Sequence, residues 1–263
     1  MDNLTLKLVA TPALIGAATL AGRRWGQSVG GWLVGLPLTT GPVAFFIALE
    51  QGTAFGAAAA AGSLGGAAAE AAFVVAYGRT AVRAGWLPSL LAGSVAYAAV
   101  ATVLQGLALG PLVLFGVAVA TLLVSLRLIP ADPPGAASAP PPRWDVPARM
   151  VLATAVVLAL TALAPRLGAT LSGLLATYPL FAAILTAFGH RLQGVGAAVA
   201  VLRGLLFGLF AFVGFCLVLA LGLVPLGIAI AFAVAITVAL LVQGVSLWRL
   251  RSRRLTRGSA RPT

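Results

Sequence analysis

The stretch "GWLVGLPLTTGPVAFFIAL", residues 31–49, carries two conflicting signals and decides the fold. It is apolar and long enough to cross a bilayer, which takes roughly 20 residues of helix. Glycine and proline nevertheless crowd its middle, and a proline removes a backbone N–H that an inner helical turn needs. The stretch therefore predicts a membrane helix that is interrupted near its centre.

The composition of the whole chain is typical of an integral membrane protein. Of its 263 residues, 61% are hydrophobic and 8% are charged, and the mean hydropathy is +1.07. The formal charge of +12 comes from basic residues that are scattered between apolar runs or gathered in a C-terminal tail, which fits topology better than nucleic-acid binding. A lipid bilayer is thus an expected partner, and nucleic acid is not.

Apolar runs of spanning length predict the fold class, an all-α polytopic transmembrane helix bundle of about nine helices. The predicted spans are residues 5–22, 29–49, 54–77, 86–107, 111–128, 148–164, 169–189, 196–221 and 224–248.

One segment cannot belong to the bundle. The sequence "PADPPGAASAPPPRWDVPAR", residues 130–149, is rich in proline and is expected to be a linker without helix. The chain then divides into a first membrane repeat at 1–129, a proline-rich cytoplasmic linker at 130–147, a second membrane repeat at 148–250 and a basic cytoplasmic tail at 251–263.

The two membrane parts resemble each other when the chain is shifted by 142 residues. The stretch around residues 26–52 then lies without gaps on residues 168–194. The matched proline, the flanking glycines and the closing Gln-Gly predict an internal duplication. The identical pairs include Gly26 with Gly168, Gly31 with Gly173, Leu33 with Leu175, Pro37 with Pro179, Leu38 with Leu180, Phe46 with Phe188, Gln51 with Gln193 and Gly52 with Gly194.

The distribution of basic residues predicts the orientation. If the arginine-rich tail is cytoplasmic and the helices number nine, the N-terminus is outside, and nearly all arginines of the loops fall on the cytoplasmic side. Only Lys7 and Arg166 then face out, and Arg203 lies within a helix. In this topology the second and seventh predicted helices cross in opposite directions, so the two halves are expected to be inverted repeats.

Inverted-repeat transporters bind substrate near the midplane, between helices that glycine and proline interrupt. The candidates for such a site are Pro37, Thr39 and Thr40 in the first interruption and Thr177, Tyr178 and Pro179 in the second. The alternative is that both prolines only kink ordinary helices, with threonines bonding back to their own backbone.

Two further candidates are the charged residues inside predicted spans, Glu70 and Arg203. An ionisable group at membrane depth needs a partner, a hydrated cavity or a function. Their distances from the adjacent loops place them at a similar depth, so they are expected to pair. The pair would either hold the alanine-rich third helix in place or take part in substrate binding or coupling.

The stretch "SGLLATYPLFAAILTAFGHRLQGVGAAV", residues 172–199, resembles the GlpM type of small bacterial inner-membrane protein, and residues 30–52 resemble it more faintly. The resemblance implies a unit of about four helices in the bacterial inner (plasma) membrane. This chain departs from it by duplication and by an extra helix in its first half. No functional residue is carried over from the family.

Two functions remain open from the sequence. One is a secondary transporter or permease for a small molecule or ion, and the other is a non-transporting component that scaffolds or assists envelope biosynthesis. An intramembrane enzyme is not expected, because the chain has no HExxH, Gly-x-Ser-x-Gly or CxxC motif and only five acidic residues. No catalytic residue, metal site or cofactor is predicted.

Overall fold

A computed structural model describes residues 3–38, 40–130 and 141–258, with side chains described for 8–38, 40–130, 141–163 and 177–245. These residues form an all-α bundle, as predicted. Its helices are α1 Asn3–Trp25, α2 Gln27–Val34, α3 Thr40–Gln51, α4 Thr53–Ala81, α5 Trp86–Gly106, α6 Pro111–Leu128, α7 Asp145–Ala176, α8 Leu180–Gln193 and α9 Val195–Gly258.

Five of the described stretches are long and apolar enough to cross a membrane. They lie in α4, α5, α6, the Asp145–Leu163 part of α7 and the Val195–Val245 part of α9. The last is 51 residues long, which at about 1.5 Å per residue is enough for two crossings of a hydrocarbon core of roughly 30 Å. Gly227 interrupts it with a φ of 74°.

The two segments of α9 fold back on each other at Gly227. Gly214 packs against Val238, and Gly222 packs against Ala231, so the segments are antiparallel. The described chain thus has nine helices, but they do not correspond individually to the nine predicted spans. The second span is divided into α2 and α3, the sixth and seventh are redistributed over α7 and α8, and the last two form α9.

Two glycines of the predicted repeat make the same tight turn between helices. Gly52 separates α3 from α4 with a φ of 89°, and Gly194 separates α8 from α9 with a φ of 89°. Only glycine adopts this backbone region without steric cost. The matching Gln-Gly pairs of the sequence thus mark two equivalent chain reversals.

The core is centred on α4 and the first segment of α9, which run antiparallel. Gly56 near the start of α4 packs against Leu223, while Gly78 near its end packs against Leu202 and Pro130. We call these two ends of the bundle the Gly52 end and the Pro130 end. Buried side chains of α4, α5, α6 and α9 form one large cluster, and α1, α7, α8 and α9 contribute a smaller one.

The helices that follow the two predicted interruptions, α3 and α8, run in opposite directions. Ala48 of α3 packs against Gly56 of α4, so α3 runs toward the Gly52 end. His190, near the end of α8, contacts Tyr77 of α4, so α8 runs toward the Pro130 end. α3 and α8 are therefore antiparallel, as the basic residues predicted for the second and seventh spans.

The predicted linker is shorter than expected, because α7 already begins at Asp145. Pro147 falls in its first turn, where the missing N–H has no helical acceptor in any case. Asp145 is buried and accepts from Arg149 Nε at 2.6 Å and from Arg23 Nη2 at 3.1 Å. This network ties α7 to α1. Residues 131–140 of the predicted linker lie outside the described residues.

Candidate functional site

The two helix interruptions have the same backbone geometry. In each, a proline is the middle residue of a three-residue turn: the N–H of Leu38 donates to Leu36 O at 2.8 Å, and that of Leu180 donates to Tyr178 O at 2.7 Å. Pro179 has φ −74° and ψ 58°, close to an inverse γ-turn. Regular helical bonding therefore stops at both breaks, so the prolines do more than kink.

The prolines also start the helices that follow. The carbonyl of Pro37 accepts from Gly41 N at 2.8 Å, and that of Pro179 accepts from Ala183 N at 2.8 Å. Proline suits this position because its fixed φ is already helical and its own N–H is not needed. Under the 142-residue shift the two sets of bonds coincide atom for atom.

Both breaks border one cavity of about 790 Å³. The first break contributes Gly35, Leu36 and Thr40, and the second contributes the stretch 177–179. From the breaks the cavity extends along α3, α4, α5, α7 and α9 toward the Gly52 end, where Gly62 and Gln105 of its lining are exposed.

Side chains of α5 hold the second break in place. The hydroxyl of Tyr97 lies 2.6 Å from Thr177 Oγ1, and Ser94 Oγ lies 2.7 Å from the hydroxyl of Tyr178. The rings of Tyr97 and Tyr178 pack edge to face with centroids 5.4 Å apart. These contacts fix the polar groups of the break on the cavity wall.

Among the described residues that line the cavity, Glu70 is the only Asp, Glu, Lys or Arg. It is half-buried, and within the described part of the chain its carboxyl group has no hydrogen bond or ion pair. Since it lies between Gly56 and Gly78, it sits near the middle of the crossing between α4 and α9. The cavity thus contains one carboxyl group near half depth.

The predicted pair of Glu70 with Arg203 is wrong. Arg203 Nη2 donates to the carbonyl of Pro130 at 3.0 Å, and the residue does not line the cavity. Its neighbour Leu202 packs beside Gly78, at the Pro130 end. The depth of Arg203 was misjudged because it was counted from the turn that precedes α9. The glycine contacts, not that turn, set the position of α9 along α4.

Aromatic rings close the cavity toward the Pro130 end. Phe73 packs between Tyr77 and Tyr178, with centroids 5.8 Å and 6.1 Å away. The hydroxyl of Tyr77 lies 3.3 Å from His190 Nδ1. Both α4 rings are fully buried. Together with the bond from Arg203 to Pro130, these contacts separate the cavity from that end of the bundle.

Glycines bring each break close to a helix of the other half of the chain. A Cβ on Gly35 would lie 2.8 Å from Gly208 Cα, so α2 and α9 touch through their backbones. A Cβ on Gly66 would lie 3.1 Å from Thr177 Cβ, so α4 touches the second break. The 142-residue shift converts the first contact into the second.

The remaining predicted site residues are distributed as follows. Pro37 is half-buried and supports the first break without lining the cavity, and Thr39 lies outside the described residues. The sequence reading missed Ser94 and Tyr97, for which no motif exists, and also missed the Gly-x-x-x-Gly spacing of α2 and α9. That spacing is a known signal for close helix packing in membranes.

The chain was compared with protein-family models, with curated proteins and with solved structures, and none of them matches it. The resemblance to the GlpM type therefore stays a prediction.

Proposed function

We propose that this protein is a secondary transporter or permease for a small molecule, with its site in the cavity between the two helix breaks. The observation that carries the proposal is that two breaks of the same geometry, on oppositely directed segments, border one cavity near half depth. Broken helices of opposite direction around a central site are the arrangement of inverted-repeat transporters.

The internal duplication belongs to the same proposal. It is supported by the equivalent glycine turns at Gly52 and Gly194 and by the matching contacts of Gly35 with Gly208 and of Thr177 with Gly66. If the halves exchange conformations, the aromatic closure at the Pro130 end opens while the Gly52 end closes. We place the protein in a bacterial inner membrane, with the Pro130 end and the C-terminus in the cytoplasm.

Alternating access can be tested without knowing the substrate. On a Cys216→Ala background, Ala182→Cys places one thiol on the buried cavity wall just after the second break. A membrane-impermeant thiol reagent is applied to right-side-out and to inverted membrane vesicles. We expect Ala182→Cys to react in both preparations, because a transporter exposes its site to each side in turn.

Glu50→Cys is the matched control, since Glu50 is exposed at the end of α3 and should react in one preparation only. If Ala182→Cys also reacts from a single side, the cavity is a fixed pocket. That result would contradict transport and favour the scaffolding component of an envelope-biosynthesis complex.

A further inference from the structure

We propose that the cavity takes a monovalent organic cation with an apolar body, bound at Glu70 in exchange for a proton. The inference rests on the proposed function in treating the cavity ligand as the transported substrate. The binding event itself can be tested separately.

The charge of the ligand follows from the charge of the wall. Glu70 is the one carboxylic acid bordering the cavity in the described chain, and no cation of the protein pairs with it there. A carboxylate at membrane depth is costly unless a positive charge or a proton neutralises it. The occupant is therefore expected to supply that positive charge.

The ends of the broken helices do not reverse this preference. A helix N-terminus carries about half a positive charge and a C-terminus about half a negative charge. Each break brings one end of each kind to the cavity, with α2 ending and α3 beginning at the first, and α7 ending and α8 beginning at the second. These partial charges offset each other, so the full charge of Glu70 decides.

The size and walls of the cavity indicate an organic ligand. Its volume of about 790 Å³ lies in the range of about 300 to 1,000 Å³ that is usual for drug-sized ligands. The rings of Tyr178, Phe181, Phe212 and Phe215 belong to its lining. Aromatic faces attract cations and also pack against apolar groups, so they suit an onium or ammonium centre with apolar substituents.

The donor set argues against a divalent metal ion as the ligand. Ca²⁺ and Mg²⁺ take about six or more oxygen ligands, with carboxylates prominent among them. The cavity offers a single carboxyl group, and the described residues contain no group of three His, Cys, Asp or Glu side chains that could hold a metal.

Proton exchange follows from the neighbours of Glu70. The titratable groups that face it are Tyr97 from α5, Tyr178 from the second break and Cys216 from α9. The described cavity-lining residues of α2, α3, α6, α7 and α8 include none. Tyrosine and cysteine side chains are uncharged at neutral pH in model peptides. Because none of these neighbours carries a positive charge, Glu70 keeps its proton while the cavity is empty. Binding then converts the carboxylic acid of Glu70 and a free cation into a carboxylate–cation pair and one released proton.

Tetraphenylphosphonium and tetraphenylborate are the probes, because they have the same shape and opposite charge. Equilibrium binding to the full chain in neutral detergent is measured together with proton release into a weakly buffered solution. We expect the phosphonium to bind and release a proton. Glu70→Gln should weaken its binding roughly tenfold or more, because the charge-assisted contact is lost.

Glu70→Asp should keep binding, and Glu50→Gln is the matched control because it makes the same chemical change at an exposed position that does not line the cavity. The thermal melt of each variant without ligand verifies folding. Equal binding of the two probes, unchanged binding by a folded Glu70→Gln, or no binding of the phosphonium to the natural chain would each overturn the proposal.

The result is independent of the labelling test for transport. Phosphonium binding that depends on Glu70, combined with one-sided labelling of Ala182→Cys, would support the cation site and refute transport. Two-sided labelling without phosphonium binding would support transport and refute the cation as its substrate.

Discussion

Replacing Gly204 by alanine should destabilise the bundle, although alanine is the better helix former. Gly204 lies in α9 and faces the backbone of α2. A Cβ at this position would lie 2.8 Å from Ser28 C and 2.9 Å from Trp32 N, with Ser28 O closer still. Backbone atoms cannot turn aside as a flexible side chain could. One of the two helices must therefore shift.

The expected size of the effect follows from two opposing contributions. Overpacking a well-filled contact costs about 1 to 3 kcal/mol. Removing glycine from a helix interior returns up to about 1 kcal/mol. Because the atoms of α2 that clash with the new Cβ belong to its backbone, we expect overpacking to outweigh the gain in helix propensity. The net loss of stability should be on the order of 1 to 2 kcal/mol. In domains of 150 to 250 residues, each kcal/mol changes Tm by roughly 2 to 4 °C.

The chain carries its own reporter for this measurement. Cys216 is the single cysteine and is 1% exposed. A fluorogenic thiol dye should react with it as the detergent-solubilised bundle unfolds on heating, so the reaction curve gives the Tm.

Gly244→Ala is the matched control in the same helix. No atom lies within 4 Å of a Cβ built on Gly244, and the residue is exposed. The same chemical change should therefore leave the Tm unchanged or raise it. If the two variants melt alike, or if Gly204→Ala melts higher, the close backbone contact between α2 and α9 does not limit stability and the packing argument fails.

Two further sets of substitutions test the charged groups. Asp145→Asn should lower the free energy of unfolding by about 3 to 5 kcal/mol, because it leaves buried Arg149 without its counter-charge. Partial recovery of Tm in the double variant with Arg149→Met would support this, and an unchanged Tm of Asp145→Asn would contradict it. Glu70→Gln and Arg203→Leu should change Tm additively, because Arg203 is bonded to Pro130 and not to Glu70. A coupling energy between the two substitutions above about 0.5 kcal/mol would indicate that the two residues interact and would contradict the structure.

The parts of the fold that were predictable depend on local chemistry. Apolar length identified the helices, and proline with glycine located both breaks, because a missing N–H stops a helix wherever it occurs. The extent of α6 was predicted to the residue, since Gly110 and Pro111 begin it and Pro130 follows closely after its end. Signals of this kind need no knowledge of the neighbouring helices.

The errors concern relations between helices. The depth of Arg203 was judged from its distance to the turn at Gly194, yet the position of α9 along α4 and α2 is set by the glycine contacts. Likewise, nothing in the sequence of α5 marks Ser94 and Tyr97, which meet the second break only in the folded bundle. Packing register of this kind is a tertiary property that single-helix patterns do not contain.

The position of Glu70 has a consequence for how a duplicated bundle could use one acidic group. Under the 142-residue shift its counterpart is Phe212, which also lines the cavity, so the two halves of the proposed repeat differ in chemistry at this position. Glu70 lies near the middle of the antiparallel crossing between α4 and α9, close to where an axis relating the two halves would pass. If the halves exchange conformations as proposed, a group near that axis would stay at a similar depth. A single carboxyl group there can meet a ligand from either side, whereas a second one in place of Phe212 would add a like charge that the described residues do not compensate.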